Sequence, residues 1–234
     1  MPAANASAKP YDLLIKNVRV VRPNKTGVMR GDIAVAGGKV AKVGREIAAA
    51  SAKKVVDGKG LLALPGLVDP HMHCGIYSPL AEDAVSESRA AAQGGVTSSL
   101  NYMRTGHYYL NKGGPYEAFF PEVLEISRGR FHVDYGYHLA PMDRTHIGEI
   151  PRLIEHYGVA SFKIFMFYGG YGLHGASSHQ HEFLMIDAEE KYDIAHFEFV
   201  MRGVQRAMAQ FKDKRRSISL GLHCETAEIM AAYT

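Results

Sequence analysis

From Leu61 onward the chain repeats one pattern: a short run rich in β-branched and aromatic residues, then a stretch with helical periodicity. "LLALPGLVDPHMH" is followed by "VSESRAAAQGG", "VTSSLNYM" by "PYEAFFPEVLEISRGR", and "FHVDYGYHLAP" by "HIGEIPRLIEHYG". "SFKIFMFY" precedes a loop and a helix from about Ala188 to Lys212, and "SISLGLHCE" leads into "TAEIMAAY". Strands separated by helices of this length cannot form hairpins. They run parallel, with the helices packed outside the sheet.

An open doubly wound sheet and a barrel both satisfy that rule. No Gly-rich phosphate-binding fingerprint follows the first strand, which argues against the nucleotide-binding sheet. Polar, metal-capable residues instead gather at the C-terminal ends of successive strands, where barrel proteins build their sites. The expected fold class is therefore α/β, a partial TIM (β/α)8 barrel of about five strand–helix units. Residues 61–234 fall short of the roughly 250 of a whole barrel, and five strands do not close one.

Ahead of the barrel, residues 11–60 read as strands: "YDLLIKNVRVV" and "GDIAVAGGKVAKVG", the second folded about Gly37-Gly38 as a hairpin. They form part of a small β-sandwich domain, preceded by a disordered leader over residues 1–10 and followed by the barrel over residues 61–234. The leader has no apolar segment of signal-peptide length, and no stretch reaches a membrane span. Two cysteines make no disulfide scaffold. The net charge of +3, without a long basic run, gives no reason to expect nucleic acid or a membrane surface as partner. A cytoplasmic location is expected.

His71 and His73, in "LPGLVDPHMHCG", stand two apart, so on a strand they point to one face. An HxH pair is compatible with metal ligation or with structural strand histidines. His223, in "GLHCE", also ends a strand, and Lys163 sits in "SFKIFMFY", so apolar that an inward lysine needs a reason. Such positions on three strand ends, in a fold that gathers strand ends, point to a site. Asp69 precedes the pair by an even step and reads as a residue orienting it. Cys74 and Cys224 each follow a histidine, facing the other way, and read as packing. The loop "YGGYGLHGASSHQHEF" reads as substrate- or subunit-facing, with His174, His179 and His181 too irregularly spaced for ligation.

"PGLVDPHMH", "SFKIFMFY" and "LHCE", in this order and spacing, resemble the dihydropyrimidinase/hydantoinase branch of the amidohydrolase superfamily, the cyclic amidases that include dihydroorotase and allantoinase. The likeness runs from about Tyr11 to the last residue and corresponds to an N-terminal half. It implies a barrel holding two divalent metals, usually zinc. His71 and His73 would bind the more buried metal. Lys163, as N6-carboxylysine, would bridge both, its carbamate replacing a bare buried ammonium. His223 would bind the second. The implied reaction is hydrolysis of a cyclic amide or imide ring by a metal-bridging hydroxide. Tyr168, five residues after Lys163, would be the catalytic hydrogen-bond donor to the developing oxyanion and a substrate contact. Arg104, near the family's substrate-binding asparagine, would offer a charged donor to an anionic or carbonyl-rich substrate.

Gly75 stands where dihydroorotases carry an arginine, which counts against dihydroorotate. The family's sixth-strand histidine and eighth-strand aspartate have no counterpart before Thr234. The expectation is that the chain carries part of the site and is inactive and poorly folded alone, and that its partner is a second copy in a homo-oligomer or a second polypeptide supplying the other barrel half. The competing reading is a non-catalytic oligomeric interaction protein on the same fold.

Overall fold

The computed structural model describes residues 9–22, 25–166, 180–213, 217–225 and 232–233. The chain divides into two compact units, Met1–Gly66 and Leu67–Thr234.

The first unit is a five-stranded sheet. Strands β1 (Tyr11–Val21), β2 (Val28–Ala36) and β3 (Lys39–Gly44) are antiparallel neighbours, while β4 (Ala52–Asp57) and β5 (Leu62–Ala63) pair parallel to β1. The hairpin expected at Gly37-Gly38 forms with φ of 57° and 73°, the double positive φ that a tight two-residue turn needs. Leu14, Ala34, Ile47 and Ala52 make a small core. Beside it, the Asp32 carboxylate accepts from Lys16 Nζ (3.1 Å) and from the backbone N–H groups of Asn17 (3.0 Å) and Ile47 (2.9 Å).

The second unit is a curled parallel sheet in the order β10-β9-β8-β7-β6. Its strands are β6 (Leu67–His73), β7 (Val96–Met103), β8 (Asp134–Leu139), β9 (Ser161–Phe165) and β10 (Ser219–His223). Between them lie α1 (Leu80–Gln93), α2 (Tyr116–Ser127), α3 (Arg144–Tyr157), a short α4 (Gln180–Leu184) and α5 (Ile194–Gln210). The sheet is part of a TIM-type barrel, the expected fold class. The run "LLALPGLVDPHMH" is not one strand, however. Pro65 has no N–H for a ladder, and the chain breaks there, leaving Leu62–Ala63 on β1 and starting β6 at Leu67. The last long helix starts at Ile194, not Ala188, because Asp193 caps it by accepting from His196 N.

One device recurs around the sheet. Asp143 and Asp193 cap α3 and α5, and each accepts from the backbone of a histidine three residues on, His146 or His196. Each histidine then donates from Nε2 to a carbonyl of an earlier strand-exit loop: His146 to Gly114 (2.9 Å), His196 to Pro141 (2.8 Å). α2 has no capping side chain of its own. Instead both Glu149 oxygens, from α3, accept from Tyr116 N and Glu117 N at 2.9 Å each. The buried Tyr116 hydroxyl in turn donates to Ala140 O (2.9 Å), fixing the exits of β7 and β8. Among the described residues, no helix is long and apolar enough to cross a membrane.

Candidate functional site

β6 delivers His71 and His73 to the sheet's C-terminal end, and their Nε2 atoms face each other at 2.6 Å. Lys163, on β9, brings its Nζ against His71 Nδ1. The β6 and β9 residues are thus in direct contact despite a separation of 92 positions. Phe165 packs around them: its ring lies 6.0 Å from His71, 6.1 Å from His73 and 4.8 Å from Tyr102, and Lys163 Nζ stands 5.0 Å above it.

His223 ends β10 and stacks on Phe165 from its own strand (4.6 Å), with Nε2 2.5 Å from Glu225 Oε2. The structure therefore joins His71, His73 and Lys163 directly and reaches His223 through Phe165. Among the described residues no three His, Cys, Asp or Glu side chains gather as a metal cage. The donors that do gather are two imidazoles and an amine.

Burial disfavours their charged forms. Desolvation, reinforced by the neighbouring His71 and Lys163 charges, pushes the His73 imidazole down to about 4. The same burial, with Lys163 next, lowers His71, and burial lowers Lys163 as well. Neutral imidazoles are the form that ligates d-block ions, and a neutral lysine amine is a nucleophile. The pair and the lysine fit a divalent ion in donor chemistry, with lysine contributing oxygens only once carboxylated.

Two residues not singled out by the sequence adjoin the pair. Tyr109 Oη lies 2.6 Å from His73 Nδ1. It rides on a turn in which Tyr108, Tyr109, Leu110 and Asn111 all have positive φ (66°, 47°, 74° and 51°), a conformation held by Tyr108 N donating to Asn111 Oδ1. Non-glycine residues at positive φ cost about 1 kcal/mol or more each, so the surrounding packing must hold this turn in place. His138, on β8, lies 6.5 Å ring-to-ring from His71. Both were hidden for the same reason: a tyrosine in a loop and a histidine in an apolar strand carry no local signal of their partner.

Arg104 is fully buried, with its guanidinium 5.2 Å from the Tyr109 ring and 4.8 Å from Phe183, donating to Thr105 O. Asp69 accepts from His71 N at 3.0 Å, and Cys74 is buried with its thiol on Asn101 Oδ1. Tyr168, His174 and His179 lie outside the described residues, as do residues 1–8 of the leader and 226–231 of the last helical segment. His181 is half-buried in α4.

A parallel sheet of this order, with histidines at the C-terminal strand ends, defines a barrel of the kind that holds its chemistry in the strand-end loops. No family model matches the chain. The D-hydantoinase of Geobacillus stearothermophilus is 33% identical over 160 residues, 66% of this chain and 32% of that protein. An allantoinase of Escherichia coli is 42% identical over 93 residues, 38% of this chain and 19% of that protein. The L-hydantoinase (dihydropyrimidinase) structure from Arthrobacter aurescens superposes with a TM-score of 0.69 at 22% identity, covering 95% of this chain and 42% of that one. In sequence the chain is similar to hydantoinases and allantoinases, and its fold is similar to that of a hydantoinase. It spans about a third or less of the length of the curated relatives it matches.

Proposed function

We propose that this chain carries the first part of a metal-dependent site that hydrolyses a cyclic amide or imide ring. The observation that carries the reading is the meeting of His71, His73 and Lys163 at the strand ends. In this reading His71, His73, Lys163 and His223 hold two divalent ions, and zinc suits nitrogen donors of this kind. When bound, such ions would supply Lewis acidity toward a ring carbonyl and would lower the pKa of a water.

The chain's own residues do the rest. Burial lowers the pKa of the Lys163 amine and so favours the neutral form that would add CO2, releasing one proton, to give an N6-carboxylysine with two oxygens able to ligate metal. Tyr109 Oη, 2.6 Å from His73 Nδ1, is placed to accept from Nδ1–H, the tautomer that would leave the Nε2 lone pair for a metal. Tyr168 is assigned to the developing oxyanion and Arg104 to the substrate from their sequence positions. An Arg104→Ala variant with an unchanged Michaelis constant removes the second assignment. The aromatic wall of Phe165 and Tyr102 excludes water from one side of the pair.

Elemental analysis of the purified protein, together with assays on hydantoin, dihydrouracil and allantoin, tests the proposal. Bound zinc, lost in His71→Ala and His73→Ala, is expected, with ring opening dependent on it once the rest of the barrel is supplied. A complete barrel that binds no metal would instead be the non-catalytic relative.

A further inference from the structure

The histidine pair stands on an irregular strand. Along β6 and β7, Asp69 pairs with Ser99 and Met72 with Asn101, so Pro70 and His71 together oppose the single residue Leu100. An earlier irregularity, at Thr97 on β7, offsets this one, and the register is restored by His73↔Tyr102. Such a bulge re-aims side chains but takes backbone groups out of the ladder. Pro70 has no N–H, which leaves its carbonyl and the His71 N–H to be satisfied.

Side chains satisfy both. Asp69 Oδ1 accepts from His71 N at 3.0 Å. The Pro70 carbonyl faces His138 Nε2 at 2.5 Å, across 68 residues of sequence. A carbonyl can only accept, so His138 carries its proton on Nε2 and its Nδ1 is bare. Ser161 Oγ lies 2.5 Å from that Nδ1, and Ser219 Oγ lies 3.0 Å from Ser161 Oγ. With the imidazole neutral, one proton order satisfies the row: Ser219 donates to Ser161, Ser161 to His138, and His138 to Pro70. The three side chains are register partners on neighbouring strands, His138↔Ser161 and Ser161↔Ser219, with His138 and Ser161 buried.

We propose that His138, its tautomer set by Ser161 and Ser219, is a positioning residue that holds the Pro70–His71 bulge and so aims His71 at His73 and Lys163. It is not a ligand. The inference rests on the reading that His71 and His73 take a metal, and it adds how the strand carrying them is held for it. β8, β9 and β10 then act on a histidine of β6 through one row of hydrogen bonds.

Competition of the full chain against a chelator for Zn2+, repeated with Co2+ to read the ligand field, tests this. His138→Ala is expected to weaken metal binding by about 10- to 100-fold, the usual cost of removing an outer partner of a ligand. His138→Gln, whose side-chain amide can still donate to Pro70 O, is expected to recover most of that loss. Ser161→Ala should fall between the two. Equal affinity in wild type and His138→Ala overturns the inference while leaving the metal reading standing; a wild-type chain that binds no Zn2+ overturns the metal reading and this inference with it. Should the alanine variant not fold, nitrogen-15 correlation spectra of the wild-type histidines decide. A protonated Nε2 and an acceptor Nδ1 at His138 are expected, and the opposite tautomer overturns the inference.

Discussion

Replacing Glu149 by alanine tests how the strand exits are held. The two first-turn N–H groups of α2 at Tyr116 and Glu117 have no capping side chain before them, because Pro115 occupies that position. Glu149 accepts from both, at 2.9 Å each, and the carboxylate also faces the positive end of the α2 dipole. Hydrogen bonds to a charged group contribute about 1.5–3 kcal/mol each. Allowing for water reaching the half-exposed Glu117 end, we expect a loss of about 3 kcal/mol for the pair. With a urea dependence of about 2 kcal/mol per molar, the unfolding midpoint should fall by about 1.5 M. Glu149→Gln keeps one acceptor and should lose about half as much. Among the described residues, all five α-helices lie in the second unit, so the helical circular-dichroism signal reads the right transition. Glu155→Ala, on an exposed position of the same helix, serves as control and should stay within about 0.5 kcal/mol. A Glu149→Ala midpoint equal to that control refutes the cap between helices.

Further outcomes follow from other contacts. Asp32→Ala removes the acceptor of three hydrogen bonds in the first unit and should cost about 3 kcal/mol, read by denaturant unfolding. Burial disfavours the Asp32 carboxylate, but its bonds to Asn17, Lys16 and Ile47 outweigh that and hold its pKa below the usual value. Its contribution is therefore complete above the unfolded carboxylate pKa and lost as pH falls through the folded one, and Asp32→Asn should flatten that acid limb. His196 shifts in the same direction for a different reason. Burial lowers its pKa against the opposing pull of Pro141 O and nearby acids, so the folded state binds its proton less readily than the unfolded chain. Stability of the second unit should hold above the ordinary histidine pKa and decline as pH drops below it, and His196→Gln should remove that part of the slope. At Gly106, φ is 103° and an added Cβ would stand 2.3 Å from Phe183 O, so Gly106→Ala should cost about 2 kcal/mol or more, measured as a shift in thermal midpoint.

Local chemistry was enough to read much of this protein. The alternation of strand and helix patterns after Leu61 dictates a parallel sheet, because a parallel connection needs a crossover. Gly37-Gly38 dictates a hairpin, because two successive positive φ values suit glycine. The even spacing of His71 and His73 dictates that both point one way, and their family-like company placed them at a strand end with Lys163. The remaining features depend on which distant backbone groups lack a partner. Leu62–Ala63 leaves the barrel strand for β1 because Pro65 cannot continue the ladder. His138 matters because a bulge frees the Pro70 carbonyl, and Glu149 because Pro115 cannot cap α2. Tyr109 matters because a left-handed turn carries its hydroxyl to His73. A residue's own type and neighbours specify period, turn and facing. Which orphaned donor or acceptor it will satisfy is set by contacts across tens of residues, and only the tertiary structure decides those.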